Sequence, residues 1–145
     1  MLISAFLVED RPDIRDTLVD AMEEIAPVKF VGLADTEVSA RRWLNSHDGS
    51  WDLAIVDLFL GEGSGFGVLK ECQSRTPRQK VVVLTSYAQD NVLDRCRHLG
   101  ADAVFDKSQD VEKLVNFCRQ HAFDLGCMTH EGLITESQAA ALGSH

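Results

Sequence analysis

The sequence predicts an α/β domain in which a parallel sheet is covered by helices on both faces. Three observations carry this expectation. Short apolar runs alternate five times with segments of helical spacing. Two of these runs, Leu53–Val56 and Val81–Leu84, are apolar at every position, as strands buried on both faces are. Acidic, hydroxyl and basic residues then end the runs, where open α/β sheets place their ligands.

Taken in order, residues 2–8 form an apolar strand interrupted only by Ser4, and Glu9-Asp10 ends it. Pro12 is suited to the first turn of a helix. Ile14, Leu18, Met22 and Ile25 repeat at helical spacing toward Pro27. Val28 to Leu33 is a second strand near a sheet edge. Thr36 caps a helix that turns Ala40, Trp43 and Leu44 inward. The third strand, Leu53–Val56, runs into Asp57 and a glycine-rich loop. Gly65, Val68, Leu69 and Cys72 mark the next helix at i, i+3, i+4, i+7. The fourth strand, Val81–Leu84, leads into Thr85-Ser86. Val92, Leu93, Cys96 and Leu99 form the inner face of a helix from about Gln89, stopped at Gly100. Ala103–Phe105 is a short fifth strand ending at Asp106-Lys107. Ser108 is placed to cap the last helix, where Val111, Leu114, Val115 and Cys118 repeat. Residues 124–145 read as a tail, either disordered or with a short helix over Ala139–Leu142 capped by Thr135 and Gln138.

At 145 residues, 45% apolar and 26% charged, the chain has the length and composition of one soluble domain. The net charge is −9, and residues 1–60 hold twelve Asp/Glu against five Lys/Arg. That field disfavours direct contact with nucleic acid or anionic lipid and fits a cation or a basic protein face, although net charge alone is read first as solubility. No apolar stretch approaches spanning length, so no membrane association is expected. The first residues read as a strand rather than an export leader, which predicts a reduced, cytoplasmic protein. Cys72, Cys96, Cys118 and Cys127 form no CxxC pair, which removes zinc-ribbon and thioredoxin-like chemistry. Cys118-x-x-His121 has no second half and reads as helix packing. Gly61, Gly63, Gly65 and Gly67 lack the spacing of a nucleotide loop. Trp43 and Trp51 read as packing anchors, and His47, His98 and His130 as surface residues.

A parallel sheet brings the ends of its strands to one edge. Glu9-Asp10, Asp57, Thr85 and Lys107 then become neighbours. Crowded carboxylates repel unless a cation joins them, and a hard divalent ion such as magnesium takes oxygen ligands. Lys107 can pair with Asp57 or with an incoming phosphoryl group, and Thr85 offers a hydroxyl. This set suits phosphoryl transfer, which depends on positioning and charge neutralisation.

Four motifs in order carry a family resemblance. They are Val8-Glu9-Asp10 with Pro12, Val56-Asp57-Leu58 with Gly63-Ser64-Gly65, Leu84-Thr85-Ser86, and Gly100-Ala101-Asp102 leading to Phe105-Asp106-Lys107. Over residues 1–123 the chain resembles the receiver domain of two-component response regulators. The resemblance implies a flavodoxin-like doubly wound fold with strand order 2-1-3-4-5; the chemotaxis receiver of this family is the standard example of that order. It implies that Asp57 accepts a phosphoryl group from the phosphohistidine of a sensor histidine kinase or a histidine phosphotransfer protein. It assigns Mg2+ to Asp10, Asp57 and the backbone carbonyl of Phe59, with Glu9 acting through a metal-bound water. Lys107 would pair with the acceptor and then the phosphate, and Thr85 would be the switch hydroxyl.

Three departures accompany the match. Val104 stands where the family usually carries an aromatic that follows the threonine, with Phe105 as its neighbour, so that Thr85, Val104 and Phe105 make up the expected switch set. Ser108 replaces the proline that commonly follows the lysine. Gly61-Glu62-Gly63 replaces a proline-containing loop and predicts greater mobility there. Phe59 and Tyr87 occupy positions that tune phosphoryl lifetime in relatives and are expected to shield the acyl phosphate from water.

The expected function is therefore a stand-alone receiver, not an enzyme beyond its own phosphorylation and dephosphorylation. No effector pattern follows residue 123, so output is expected through a downstream protein target, with a homodimer through helix four, strand five and helix five as one route. The alternative is a receiver-like interaction module that works without phosphate. A metal-dependent phosphatase with an aspartyl intermediate is disfavoured, because Phe59 stands where its D-x-D pattern needs a second acid.

Overall fold

A computed structural model of the protein describes residues 2–133. The Thr135–Gln138 cap and the helix expected over 139–142 lie outside the described residues.

Strands β1 (Ile3–Val8), β2 (Val28–Ala34), β3 (Leu53–Val56), β4 (Lys80–Thr85) and β5 (Ala103–Asp106) alternate with helices α1 (Pro12–Ile25), α2 (Glu37–Ser46), α3 (Gly65–Glu71), α4 (Asp90–His98) and α5 (Val111–Leu133). All pairings are parallel, and the order is β2-β1-β3-β4-β5, the flavodoxin-like arrangement. No described helix is long and apolar enough to cross a membrane.

Strand alternation divides the core into two layers. Leu7, Ile55, Val82, Leu84 and Phe105 face α1 and α5, meeting Leu18, Met22, Leu114, Val115 and Cys118. Phe6, Val8, Ala54, Val56, Val81 and Val83 face the other helices, meeting Leu44, Val68, Leu69, Cys72 and Cys96. Trp51 is buried in the second layer. Trp43 stacks on Phe6 with ring centroids 4.1 Å apart, and its other face carries the exposed His47. Gly32 makes room for that indole, since a Cβ there would lie 2.3 Å from Trp43 Cε2.

Pro12 begins α1, and Thr36 and Ser39 close a reciprocal capping box on α2. Gly100 ends α4 with φ +97°, as its sequence position predicts. At the amino edge of the sheet, Arg75 gathers the chain. Its guanidinium donates to the carbonyls of Cys72, Gln79 and Gly100 and to Asp102 Oδ2.

Four expectations are corrected. Ile25 is 49% exposed, and Val19 on α1 and Ala26 just past its end pack against the core instead. Ser108 does not cap α5: its amide and hydroxyl both donate to Asp106 Oδ1 in the turn before the helix begins at Val111. Helix α5 continues past residue 123 to Leu133, and Leu125 is fully buried. The apolar spacing extends through Ala122 and Leu125, so the core claims residues assigned to the tail. Finally, Phe105 points away from the α4 side. Its ring packs edge-on to Phe117 in the α1–α5 layer, whereas Val104 contacts the opposite layer. Consecutive strand residues face opposite ways, so Phe105 cannot substitute for an aromatic at position 104.

Candidate functional site

Backbone bonds that prolong the ladders bring the charged residues to the carboxyl edge. The Glu9 amide donates to Ala34 O, the Asp57 amide to Val8 O, and the Lys107 amide to Thr85 O. Glu9, Asp57 and Lys107 thus sit on a backbone as regular as the sheet itself.

Each carboxylate is oriented by a main-chain donor. Phe59 N–H donates to Asp57 Oδ1 at 3.3 Å, Gly61 N–H to Asp10 Oδ2 at 2.9 Å, and Arg11 N–H to Glu9 Oε2 at 3.2 Å. One oxygen from each of Glu9, Asp10 and Asp57 lies within 4.8 Å of the others. Such a donor set fits a hard divalent cation. The ammonium of Lys107 donates to Asp57 Oδ2 at 2.9 Å and also to Glu9 Oε1. Glu9 is the most enclosed member, with a side chain 1% exposed. Burial raises its carboxyl pKa above the ordinary glutamate range, the Asp57 charge adds to the rise, and Lys107 opposes it. Burial also pulls the Lys107 ammonium down, but its bonds to Glu9 and Asp57 outweigh this and the net direction is up.

A cleft of about 230 Å³ opens over Asp10, Asp57 and Lys107, and Phe59 and Tyr87 are among its walls. These two rings meet edge to face at 4.9 Å. Ser86 also lines the cleft, whereas Thr85 is fully buried and its hydroxyl accepts from the Tyr87 amide at 3.2 Å. The expected set is therefore assembled with one distinction. Glu9, Asp10, Asp57 and Lys107 form a single charged cluster, and Thr85 stands beneath its rim.

The glycine-rich loop is tied down at both ends. Its start is held to Asp57 and Asp10 by the Phe59 and Gly61 amides, and its end to α2 by Ser64 N–H donating to Glu37 Oε1 at 2.9 Å. Glu37 carried no expectation from the sequence. The spacing of Gly63 and Gly67 was the available signal, because both leave room for its side chain. His121 is a satisfied core residue: it is buried, and Nε2 lies 2.9 Å from Asp52 O.

The family model of the response regulator receiver domain matches residues 5–119. Among similar proteins is the transcriptional regulatory protein CitB of Klebsiella pneumoniae, 26% identical, with the match covering 97% of this chain and 57% of that protein. A LuxR-family DNA-binding response regulator from Staphylococcus aureus superposes with a TM-score of 0.73 at 19% identity, covering 83% of this chain and 98% of that one. A response regulator from Burkholderia pseudomallei, solved with a phosphorylated aspartic acid, a calcium ion and citrate, gives a TM-score of 0.68 at 20% identity over 90% of this chain and 75% of that one. The chain spans about half the length of the curated relatives it matches. Several are transcriptional or DNA-binding regulators, which does not support the expectation that direct nucleic-acid contact is excluded. The sheet order, the acidic edge and the match over residues 5–119 agree, and the chain belongs to the response regulator receiver domain family.

Proposed function

We infer that the protein is a phosphorylation-controlled receiver whose acceptor is Asp57. The observation that supports this most directly is the contact of Lys107 Nζ with both Asp57 and Glu9 while Asp10 stands alongside. A carboxylate oxygen of Asp57 attacks the phosphorus of a phosphohistidine on a sensor histidine kinase or a histidine phosphotransfer protein. The P–N bond breaks, and its electron pair leaves with the imidazole. Lys107 follows the new charge from carboxylate to phosphoryl oxygen. Mg2+, held by Asp10, Asp57 and the Phe59 carbonyl with Glu9 behind it, would neutralise the phosphoryl charge during transfer. Thr85 supplies the hydroxyl that reports the modification: its oxygen accepts from the Tyr87 amide, and its O–H donates to a phosphoryl oxygen. Phe59 and Tyr87 shelter the acyl phosphate.

The phosphorylated aspartic acid and calcium ion in the Burkholderia pseudomallei structure support this reading. Output passes to a downstream target through α4, β5 and α5, either by direct contact or by pairing two copies, in a cytoplasmic setting. Incubation with Mg2+ and acetyl phosphate or phosphoramidate tests the reading. One phosphoryl group should appear by intact mass, and Asp57→Asn should abolish it. Absence of an adduct with every donor would favour the second reading, an interaction module that works without phosphate. Val104 in the aromatic position, with Phe105 committed to the opposite layer, is the observation on that side.

A further inference from the structure

We propose that Glu37, on α2, is a positioning residue for the acceptor site, clamping the far end of the loop whose near end orients Asp57 and Asp10. The inference rests on the reading of Asp57 as the phosphoryl acceptor.

The clamp has three parts. Glu37 Oε1 accepts from the Ser64 amide at 2.9 Å, and the Glu37 amide donates to the Glu62 carbonyl at 3.2 Å. Arg41, one helical turn on, donates to Glu37 Oε2 at 3.1 Å and to Glu71 Oε1 at 3.0 Å, bracing the carboxylate between α2 and α3. Two glycines are shaped around the side chain. A Cβ on Gly63, whose φ is +84°, would lie 2.4 Å from Glu37 Cβ, and one on Gly67 would lie 2.2 Å from Glu37 Oε2.

The loop thus carries backbone groups that face the site and is fastened at its other end by a residue that does not touch the site. Between the Asp57–Phe59 bond and the Ser64–Glu37 bond lies the Gly61 amide, which orients Asp10. Two glycines in this span give the backbone freedom that the clamp removes. Releasing Glu37 lets the Phe59 carbonyl and Gly61 amide sample other orientations. Cation binding then carries the entropy of ordering them.

Gly67→Ala is the sharpest test. The atom in the way is the end of a flexible side chain, so the new methyl displaces the carboxylate while alanine favours α3. Mg2+ affinity, measured by isothermal titration calorimetry, should weaken about tenfold in both Gly67→Ala and Glu37→Ala, as the entropy of ordering about one loop residue on binding implies. The acetyl phosphate reaction should require correspondingly more Mg2+ and reach the wild-type rate at saturation. Glu37→Gln keeps an acceptor for Ser64 and should recover most of the affinity. Alanine's helix preference offsets part of the lost carboxylate bonds, so Gly67→Ala should remain folded with a thermal midpoint at or above that of Glu37→Ala while both lose Mg2+ affinity, which separates positioning from a purely structural role. Wild-type Mg2+ affinity in both Gly67→Ala and Glu37→Ala would overturn the proposal. Failure of wild type itself to take phosphate would instead remove the acceptor reading on which it rests.

Discussion

Replacing Lys107 with methionine tests the electrostatics of the site without reference to phosphate. Its ammonium is the shared partner of two carboxylates, and the side chains of Lys107, Glu9 and Asp57 are only 15%, 1% and 9% exposed. Methionine fills a similar volume but leaves both acids without their cation. Removing one partner of a buried pair typically destabilises by about 3–5 kcal/mol. The partial exposure of Lys107 places the expected loss near the lower end, at about 3 kcal/mol at pH 7. The sign of its pH dependence follows from Glu9. Burial already raises the folded-state pKa of Glu9, and loss of Lys107 raises it further. An acid raised on folding favours the native state below its unfolded pKa and opposes it as pH rises through the folded value. The deficit of Lys107→Met should therefore be full at neutral pH and shrink as pH falls toward the ordinary glutamate range. Urea unfolding followed by Trp43 and Trp51 fluorescence measures it. Adding Glu9→Gln to Lys107→Met should recover a large part of the loss. A loss below about 1 kcal/mol, as exposed pairs give, would refute the claim that this cluster is enclosed.

Other consequences are equally direct. A Cβ on Gly65 would fall 2.2 Å from the Asp57 carbonyl and 2.6 Å from Leu58 Cα, so Gly65→Ala must move backbone at Asp57 and Leu58. It should cost about 2–3 kcal/mol in urea unfolding, in contrast to Gly67→Ala, and an unchanged midpoint would contradict the close approach. Burial pushes the Cys72 and Cys118 thiols up to about 12 and raises Cys96 as well. In a Cys127→Ser background the three remaining thiols should resist a disulfide reagent at pH 8 until the chain unfolds; rapid labelling of the folded protein would show an open core. The Ser64 amide bond, with help from Arg41, holds the Glu37 carboxyl below the ordinary glutamate range. The clamp's contribution is present above that range and lost as pH falls through the depressed value. The protection of the Ser64 amide against exchange, read by NMR relative to the intrinsic rate at each pH, should fall there and not at neutral pH.

The sheet and its charged edge were legible because both follow from a short-range rule. An apolar run buried on both faces must end where the chain leaves the sheet, and Asp57, Thr85 and Lys107 each stand at such an end. What escaped depends on partners distant in sequence. Glu37 resembles any acidic residue in a first helical turn until Ser64 is brought beside it. Arg75 resembles a surface arginine after a helix until Gly100 and Asp102 arrive. The reach of Lys107 to Glu9 as well as Asp57 is likewise set by side-chain rotamers. The case of Phe105 differs, because strand alternation alone separates it from Val104. The position of Ser108 misled because its hydroxyl finds Asp106 first and leaves the helix to start later.

The four bonds of Arg75 give α4 a fixed fulcrum. Gly100 and Asp102, just past the end of that helix, are pinned to the turn after α3 and to the start of β4, and Gln73 holds the Leu99 carbonyl as well. The opposite end of α4 follows Thr85 through only a few residues. Were Thr85 displaced, α4 would move most near Asp90 and least near Leu99, where these bonds hold it. A partner that distinguished such a displacement would have to contact the beginning of that helix rather than its end.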